Sequence, residues 1–179
     1  PREVAAGTVS NFSVRYLPAS LGTHHSTILF TNNVVDALSS PWRFDVEGFA
    51  TTSPYPAIMV LGVDQVALAD DEPANVPRGT DFEQWDIDLG GLAHTLIITN
   101  AGGETLTIDS VITNTGFEAS AFVISGIPNT LLAGEAMPFT ITFDPATVGE
   151  KQAIFTIANN SGGVASEFRI HVRGEGISP

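Results

Sequence analysis

The chain has 179 residues, of which 43% are hydrophobic and only 15% are charged, so we expect a folded protein of one or two domains. Twenty acidic residues oppose seven basic ones, and the net charge of −13 disfavours binding to nucleic acid or to anionic lipid. The absence of cysteine excludes disulfides and thiol chemistry, and no apolar run approaches the roughly 20 residues needed to span a bilayer.

Three segments within the first fifty residues alternate apolar and polar side chains, with the period of 2 that is typical of half-buried strands. They are 9–16, 26–31 and 42–49. Because three strands cannot close a sandwich, we expect their apolar face to be an interface with another copy or a neighbouring repeat of the same protein. This alternation predicts one inward face, formed by Phe12, Val14, Tyr16, Ile28, Phe30, Trp42, Phe44 and Val46.

Small polar residues followed by Pro-Tyr-Pro predict a short, stiff linker at 51–54, and therefore two domains, 1–53 and 54–179. Beyond the linker, short apolar or alternating runs are separated by turn signals at the spacing expected of a β-sandwich. No stretch of a dozen residues combines a helical period with capping residues. The predicted strands are 57–63, 92–99, 106–111, 121–125, 130–132, 139–143, 153–157 and 168–172.

The segment 64–88 holds eight of the twenty acidic residues, and Arg78 is its single basic residue. We expect it to be an exposed acidic loop. The alternative is a Ca²⁺ site with Asp81, Asp86 and Asp88 as ligands, since Ca²⁺ takes six to eight oxygen ligands. Trp85 lies in the same segment and is the one aromatic residue for which contact with a carbohydrate ligand is considered.

Motifs that would indicate catalysis are missing from the sequence. There is no Gly-x-Ser-x-Gly elbow, and the four histidines do not form a metal-binding group. Asp45 and Glu47 share one face of a predicted strand, where exposure to solvent explains them better than glycoside hydrolysis does. His24 and His25 are expected in a solvated turn, and His171 is expected to point outward. We therefore predict a protein that is not an enzyme and needs no cofactor.

The most informative feature is an internal repeat. When the sequence is shifted by 127 positions, residues 6–33 match residues 133–160 with eight identities in 28 pairs. After a deletion of one residue the offset becomes 126, and 42–48 then match 168–174. A period above 100 residues indicates tandem domains, because solenoid repeats run to about 20–50 residues. The first fifty residues are therefore predicted to be the three C-terminal strands of a module that precedes a complete second one.

A series of short strings extends over 79–176. They are Gly79-Thr80-Asp81-Phe82, Leu96 to Gly102, Leu106-Thr107-Ile108, Phe122-Val123-Ile124, Ala133-Gly134, Phe139 to Pro145, Gly149 and Gly174-Glu175-Gly176. As a set they resemble the bacterial choice-of-anchor D modules and the related immunoglobulin-like domains of the abnormal-spindle/Hydin group. The resemblance implies an all-β, immunoglobulin-like antiparallel β-sandwich. It also implies a binding or spacing role in large exported bacterial proteins, with no catalytic residues.

We therefore predict a structural or adhesive module that is secreted or lies on the bacterial cell surface. Two versions differ in the partner. The chain is either a cut from a longer array, or a subunit whose open sandwich is completed by strands of a neighbouring copy, which leads to a filament. A chain that begins with proline is expected to be processed or to be a fragment, and this expectation is compatible with both the array and the self-assembling subunit. The alternative is an accessory domain of a secreted enzyme, which binds carbohydrate or another ligand with the help of Ca²⁺.

Overall fold

Regular structure in the computed structural model is almost entirely β-strand. The structure describes residues 4–31, 41–114 and 116–178. Among these residues the helical elements are two single 3-10 turns, Ala119–Ala121 and Ser161–Gly163, and neither can cross a membrane. The predicted all-β fold class is confirmed. The strands are β1 Gly22–Phe30, β2 Trp42–Ala50, β3 Ile58–Leu61, β4 Asp81–Asp86, β5 Leu92–Asn100, β6 Leu106–Asn114, β7 Phe122–Ser125, β8 Thr130–Leu131, β9 Ala136–Phe143, β10 Gly149–Asn159 and β11 Ser166–Ile177.

The chain divides into two compact units, of residues 1–50 and 51–179. The second unit contains β3 to β11 in two sheets, one in the order β4-β11-β10-β6-β8 and the other in the order β3-β5-β9-β7. Strand β4 runs parallel to β11, and the other strand pairs of this unit are antiparallel. The two sheets enclose one apolar core, which confirms the predicted β-sandwich.

Alternate residues of the inner strands form this core. In β9 the buried residues are Phe139, Ile141 and Phe143, while Thr140 and Thr142 between them are only half-buried. The same period places Leu, Ile, Val and Phe side chains of β5, β10 and β11 between the sheets. Burial of each large apolar side chain contributes about 1.5–3 kcal/mol, so the core is the main source of stability in this unit.

Three phenylalanines join strands of both sheets inside the core. The ring of Phe122 in β7 stacks on that of Phe143 in β9, with centroids 4.7 Å apart. Phe82 in β4 lies 5.6 Å from Phe143 and 5.8 Å from Phe122. His94, whose direction the sequence left open, stacks on Phe82 at 4.3 Å. These contacts fix β4, β7 and β9 to one another.

The first unit is an antiparallel hairpin, in which Gly22 lies opposite Ala50 and Phe30 lies opposite Trp42. The strands predicted at 26–31 and 42–49 are therefore confirmed as β1 and β2. The strand predicted at 9–16 is wrong, because residues 8–18 form no strand.

The internal repeat explains this difference. The offset of 127 matches 9–16 to 136–143, which is β9. Strand β9 is hydrogen-bonded to β5 and β7 in the sheet opposite β10 and β11. The described part of the first unit has no counterpart of β5 or β7. The segment thus carries the apolar alternation of a strand without a neighbour to complete the backbone ladder.

The turn after β5 is organised by the buried side chain of Asn100. Its Oδ1 accepts hydrogen bonds from the backbone N–H groups of Ala57 and Gly102, at 3.1 and 3.0 Å. Its Nδ2 donates to the carbonyl oxygens of Glu104 and Leu131, at 2.7 and 3.1 Å. One side chain therefore satisfies four backbone groups from three separate places in the chain.

The substitution Asn100→Ala is expected to destabilise the second unit by about 3 kcal/mol, because it leaves buried backbone groups without partners at about 1–3 kcal/mol each. Urea unfolding followed by Trp85 emission, in a Trp42→Phe background, measures this loss. The exposed Asn129, changed to Ala, is the control and should cost less than about 0.5 kcal/mol. Equal losses in the two variants would contradict the role given to Asn100.

Candidate functional site

The two copies of the internal repeat share the same backbone conformation at matching glycines. Gly7 and its match Gly134 have φ angles of 75° and 77°. Gly22 and its match Gly149 have φ angles of 106° and 104°. These left-handed values are rare for residues with a side chain, so both copies use glycine for the same two bends.

The pairing register of the two hairpins is also the same. Ile28 lies opposite Phe44 in β1 and β2, and the matching Phe155 and Ile170 lie opposite each other in β10 and β11. All nine residue pairs of the first hairpin obey this correspondence, with the offsets of 127 and 126. A shift of one residue would turn every side chain to the other face, so the matched residues point to equivalent sides.

One close contact is shared by the two copies. A Cβ atom on Gly174 would lie 2.6 Å from the ring of Phe143, and a Cβ atom on Gly48 would lie 2.8 Å from the ring of Tyr16. Tyr16 matches Phe143 and Gly48 matches Gly174 in the repeat. The segment 8–18 therefore packs on its hairpin as β9 packs on β11, although it forms no strand.

The predicted interface residues come together on one face of the first unit. Phe12 lies 4.9 Å from Phe30, and Trp42 lies 5.3 Å from Phe44, between ring centroids. The remaining three residues line a groove of about 380 Å³ that continues from this aromatic group. We call the whole set the N-terminal apolar face, made of Phe12, Val14, Tyr16, Ile28, Phe30, Trp42 and Phe44.

This face is partly exposed, which corrects the predicted inward orientation, since four of its side chains are exposed and the other three, Ile28, Phe30 and Phe44, are half-buried. Phe12 is 57% exposed and Trp42 is 55% exposed, whereas their matches Phe139 and Phe168 are 1% and 6% exposed. In the second unit the strands of residues 58–131 cover the matching face. The described residues of the first unit contain no such layer, so the predicted face has no cover there.

The acidic segment is largely exposed, as the sequence predicts, but it is also tied to β11. Asp70 accepts a hydrogen bond from the backbone N–H of Arg169 at 2.7 Å. Asp71 lies 2.7 Å from Nε2 of His171, whose neighbours Ile170 and Val172 are buried, so His171 points outward as predicted. The segment also contributes β4, which corrects the predicted loop. Glu83, with φ of 54°, interrupts the alternation that would have revealed this strand.

The three candidate Ca²⁺ ligands are each placed differently. Asp81 is buried, and its Oδ2 accepts hydrogen bonds from Nε and Nη2 of Arg173 at 3.0 and 2.9 Å. Asp86 accepts a hydrogen bond from the backbone N–H of Asp88 in a local turn. No three acidic or histidine side chains of the described residues lie close enough to hold a metal ion. The geometry does not support the predicted cation site.

Trp85 has a packing role in β4. Its half-buried indole packs against the core, and its N–H donates to the Gly90 carbonyl oxygen at 2.6 Å. The expected exposed platform for a sugar ring is therefore not formed by Trp85, and its ligand role stays a prediction without support from the geometry.

A buried lysine was missed at the sequence level. Lys151 is 2% exposed, and its Nζ lies 2.5 Å from Oε2 of Glu118 and 3.0 Å from Oγ1 of Thr147. The hydrogen bond from Lys151, followed by that from Thr147, lowers the pKa of Glu118. Lys151 shares the inward phase of Ala153 and Phe155, and that alternation is the signal that places it inside. The turn expected here and at the matching His24 is wrong, since both residues lie within strands.

A family model described as the HYDIN/CFA65/VesB-like Ig-like domain matches residues 80–175. Among solved structures, the chain is similar to the Vibrio cholerae VesB protease, at 16% identity and a TM-score of 0.43, over 53% of this chain and 29% of that one. It is also similar to a Porphyromonas gingivalis W83 protein of unknown function, at 15% identity and a TM-score of 0.49, over 89% and 68% of the two chains. A PapD-like domain of human CEP192 shares 14% identity over 83% and 99%, at a TM-score of 0.46. No curated protein sequence matches the chain.

The contact between Asp71 and His171 generates a prediction about acid stability. The hydrogen bond with His171 is the largest cause that lowers the pKa of Asp71. A carboxyl group whose pKa is lowered on folding stabilises the protein above its unfolded pKa, and this contribution is lost as the pH falls through the folded value. In Asp71→Asn the melting temperature should be lower than in the wild type near neutral pH, and the difference should shrink in acid.

Calorimetry over a series of acidic buffers measures this difference. The exposed Asp88 of the same segment, changed to Asn, is the matched control and should show a smaller and flatter effect. A difference for Asp71→Asn that stays constant from neutral to acidic pH would rule out the proposed ionic contribution.

Proposed function

The chain belongs to the HYDIN/CFA65/VesB-like Ig-like domain family, and from this premise we propose that it is a non-catalytic structural module that is completed by β-strands of another polypeptide segment. Residues 1–53 are the C-terminal part of one Ig-like module and 54–179 are a complete module. The resemblance to exported bacterial modules supports a secreted or cell-surface location with an adhesive or spacing role, as part of the same proposal.

The observation that carries the proposal is the exposure of the N-terminal apolar face, whose matching residues are buried in the second unit. Burial of a single large apolar side chain contributes about 1.5–3 kcal/mol. Burial of the four exposed side chains and further burial of the three half-buried ones therefore favour a segment that covers them. Aromatic residues dominate this face, and aromatic residues carry most of the energy in protein interfaces.

The partner that fits this face is a segment of the same kind as residues 57–132, supplied by a neighbouring repeat. These residues cover the matching face in the second unit, and the shared register makes the two faces alike. The strands 57–132 of a second copy are a poorer donor, because Leu96, Ile98 and Leu106 are fully buried in their own module. Their withdrawal would open one sandwich in order to close another.

The distribution of charge supports association through the first unit. Residues 1–50 contain three basic and four acidic residues, which leaves four basic and sixteen acidic residues for 51–179. The net charge is therefore −1 for the first unit and −12 for the second. The acidic second units repel each other, so a partner approaches the nearly neutral apolar face more easily.

A fusion in which residues 54–132 precede Ala6 tests the completion directly. Leu132 then enters Ala6 in the way that it enters Ala133 in the natural second module. With Trp85 changed to Phe in both copies, Trp42 is the single tryptophan. We expect Trp42 emission to shift to shorter wavelength relative to the unfused Trp85→Phe chain, because the added layer removes the indole from water.

The control for the fusion carries Leu96→Asp in the added segment alone, since a buried carboxylate there prevents the layer from packing. This control should keep the long-wavelength emission of the unfused chain. An emission maximum that is the same in the fusion, the control and the unfused chain would falsify completion by strands of this kind.

Light scattering of the unfused chain tests a second copy as the partner. We expect a monomer, or weak association that rises with concentration. The variant Phe12→Asp should remove any association, whereas Phe117→Asp changes a phenylalanine that is 69% exposed outside the face and serves as the matched control. If the chain forms a tight dimer that dissociates in Phe12→Asp but not in Phe117→Asp, the partner is a second copy of the chain and not a neighbouring repeat.

A further inference from the structure

The groove in the N-terminal apolar face identifies one part of the missing layer. It has a volume of about 380 Å³, and its apolar walls include Val14, Tyr16, Ile28 and Val46. The offsets of the repeat match these residues to Ile141, Phe143, Phe155 and Val172, which are fully or almost fully buried in the second unit. In the second unit, other residues fill the space beside these matching residues. Their contacts identify which segment fills it.

Strand β5 pairs with one edge of β9 and Phe82 of β4 contacts Phe143, while the segment 116–125 covers the other edge of β9. Its strand β7 pairs with β9 so that Phe122 lies opposite Phe143 and Ile124 lies opposite Ile141. The rings of Phe122 and Phe143 stack at 4.7 Å with an angle of 21° between their planes. In the first unit Tyr16 takes the place of Phe143, and its ring meets the imidazole of His24 edge to face, with centroids 5.9 Å apart.

The residues before β7 hold the same segment to the hairpin. The carbonyl oxygen of Phe117 accepts a hydrogen bond from the backbone N–H of Gln152 at 2.9 Å. The carbonyl oxygen of Ala121 accepts one from Asp144 at 2.8 Å. Glu118 meets the buried Lys151. The repeat matches Gln152, Asp144 and Lys151 to His25, Leu17 and His24.

These matches describe the groove as a site for one short segment that consists of a turn followed by an extended strand. Leu17, His24 and His25 all line it, beside the apolar walls. The backbone N–H groups of Leu17 and His25 match those of Asp144 and Gln152, which donate to 116–125, while Nε2 of His24 lies 3.0 Å from the Ser20 carbonyl oxygen. The described residues 14–16 form no ladder, so their backbone is open to pairing along one edge.

We infer that this groove binds a short segment of a neighbouring repeat, whose extended C-terminal part runs antiparallel to residues 13–16 and places an aromatic side chain on Tyr16. The segment carries an aliphatic side chain two residues after the aromatic one, against Val14, and an acidic side chain four residues before it, near His24. This inference rests on the proposed function and adds the position, direction and side-chain pattern of the bound segment.

A peptide with the sequence of residues 116–125 is the probe, because it has this pattern and needs no fold of its own. Its binding to the full 179-residue chain is measured by the fluorescence anisotropy of a dye on the peptide N-terminus. We expect saturable binding. A second peptide with Ser in place of Phe122 and Ile124 should bind at least tenfold more weakly, because both contacts with the groove are lost.

Variants of the chain locate the bound peptide. The substitution Tyr16→Ala should weaken binding at least tenfold, and Tyr55→Ala should leave it unchanged. Tyr55 is the matched control, since it is 52% exposed and lies outside the first unit. Trp42 emission, recorded with Trp85→Phe, checks that the hairpin remains folded in Tyr16→Ala.

The outcomes separate this inference from the proposed function. Equal binding of the two peptides, or equal binding to the Tyr16→Ala and Tyr55→Ala variants, would overturn the inference. Absence of peptide binding together with a blue-shifted fusion would overturn this placement of the strand while completion of the sandwich stands. Absence of peptide binding together with an unshifted fusion would overturn both.

Discussion

The structure depends on a single constraint, which is that the apolar side of each strand layer needs a second layer to cover it. In the second unit the two sheets cover each other, and Phe139, Phe155 and Phe168 lose almost all contact with water. The hairpin of the first unit keeps the same pairing and the same bends without that cover. Backbone hydrogen bonds therefore fix the register within the pair, whereas burial of the side chains requires residues from elsewhere.

Most strands could be predicted from the regular alternation of apolar and polar side chains. It located β9 to β11 because apolar residues occupy every second position there. It failed at β4, where the left-handed Glu83 shifts the phase, and at 9–16, where the alternation is regular but the hydrogen-bonding neighbours are missing. The alternation of apolar and polar residues indicates which side chains can lie on the same face of a strand. It does not report whether a neighbouring strand exists, since that neighbour is distant in sequence.

Candidate sites were harder to predict because ionisable groups depend on distant partners. The cluster of acidic residues made Asp81 a candidate cation ligand. Its carboxylate instead accepts a hydrogen bond from Arg173, which lies 92 residues further along the chain. Asp71 and His171 are 100 residues apart and meet in the same way. A count of acidic residues cannot distinguish a ligand cluster from carboxylates that hold two strands together, because both look alike until the partners are placed.

The two copies also differ in a way that bears on the missing cover. At most of the matched inward positions the first unit keeps apolar side chains, such as Val14 for Ile141 and Trp42 for Phe168. At outward positions the chemistry changes freely, as with Arg15 for Thr142. A hairpin that worked permanently in water would gain solubility from polar residues on both sides. Retention of apolar type at most inward positions supports the proposed covering layer, although Ser26 stands where the second unit has the buried Ala153.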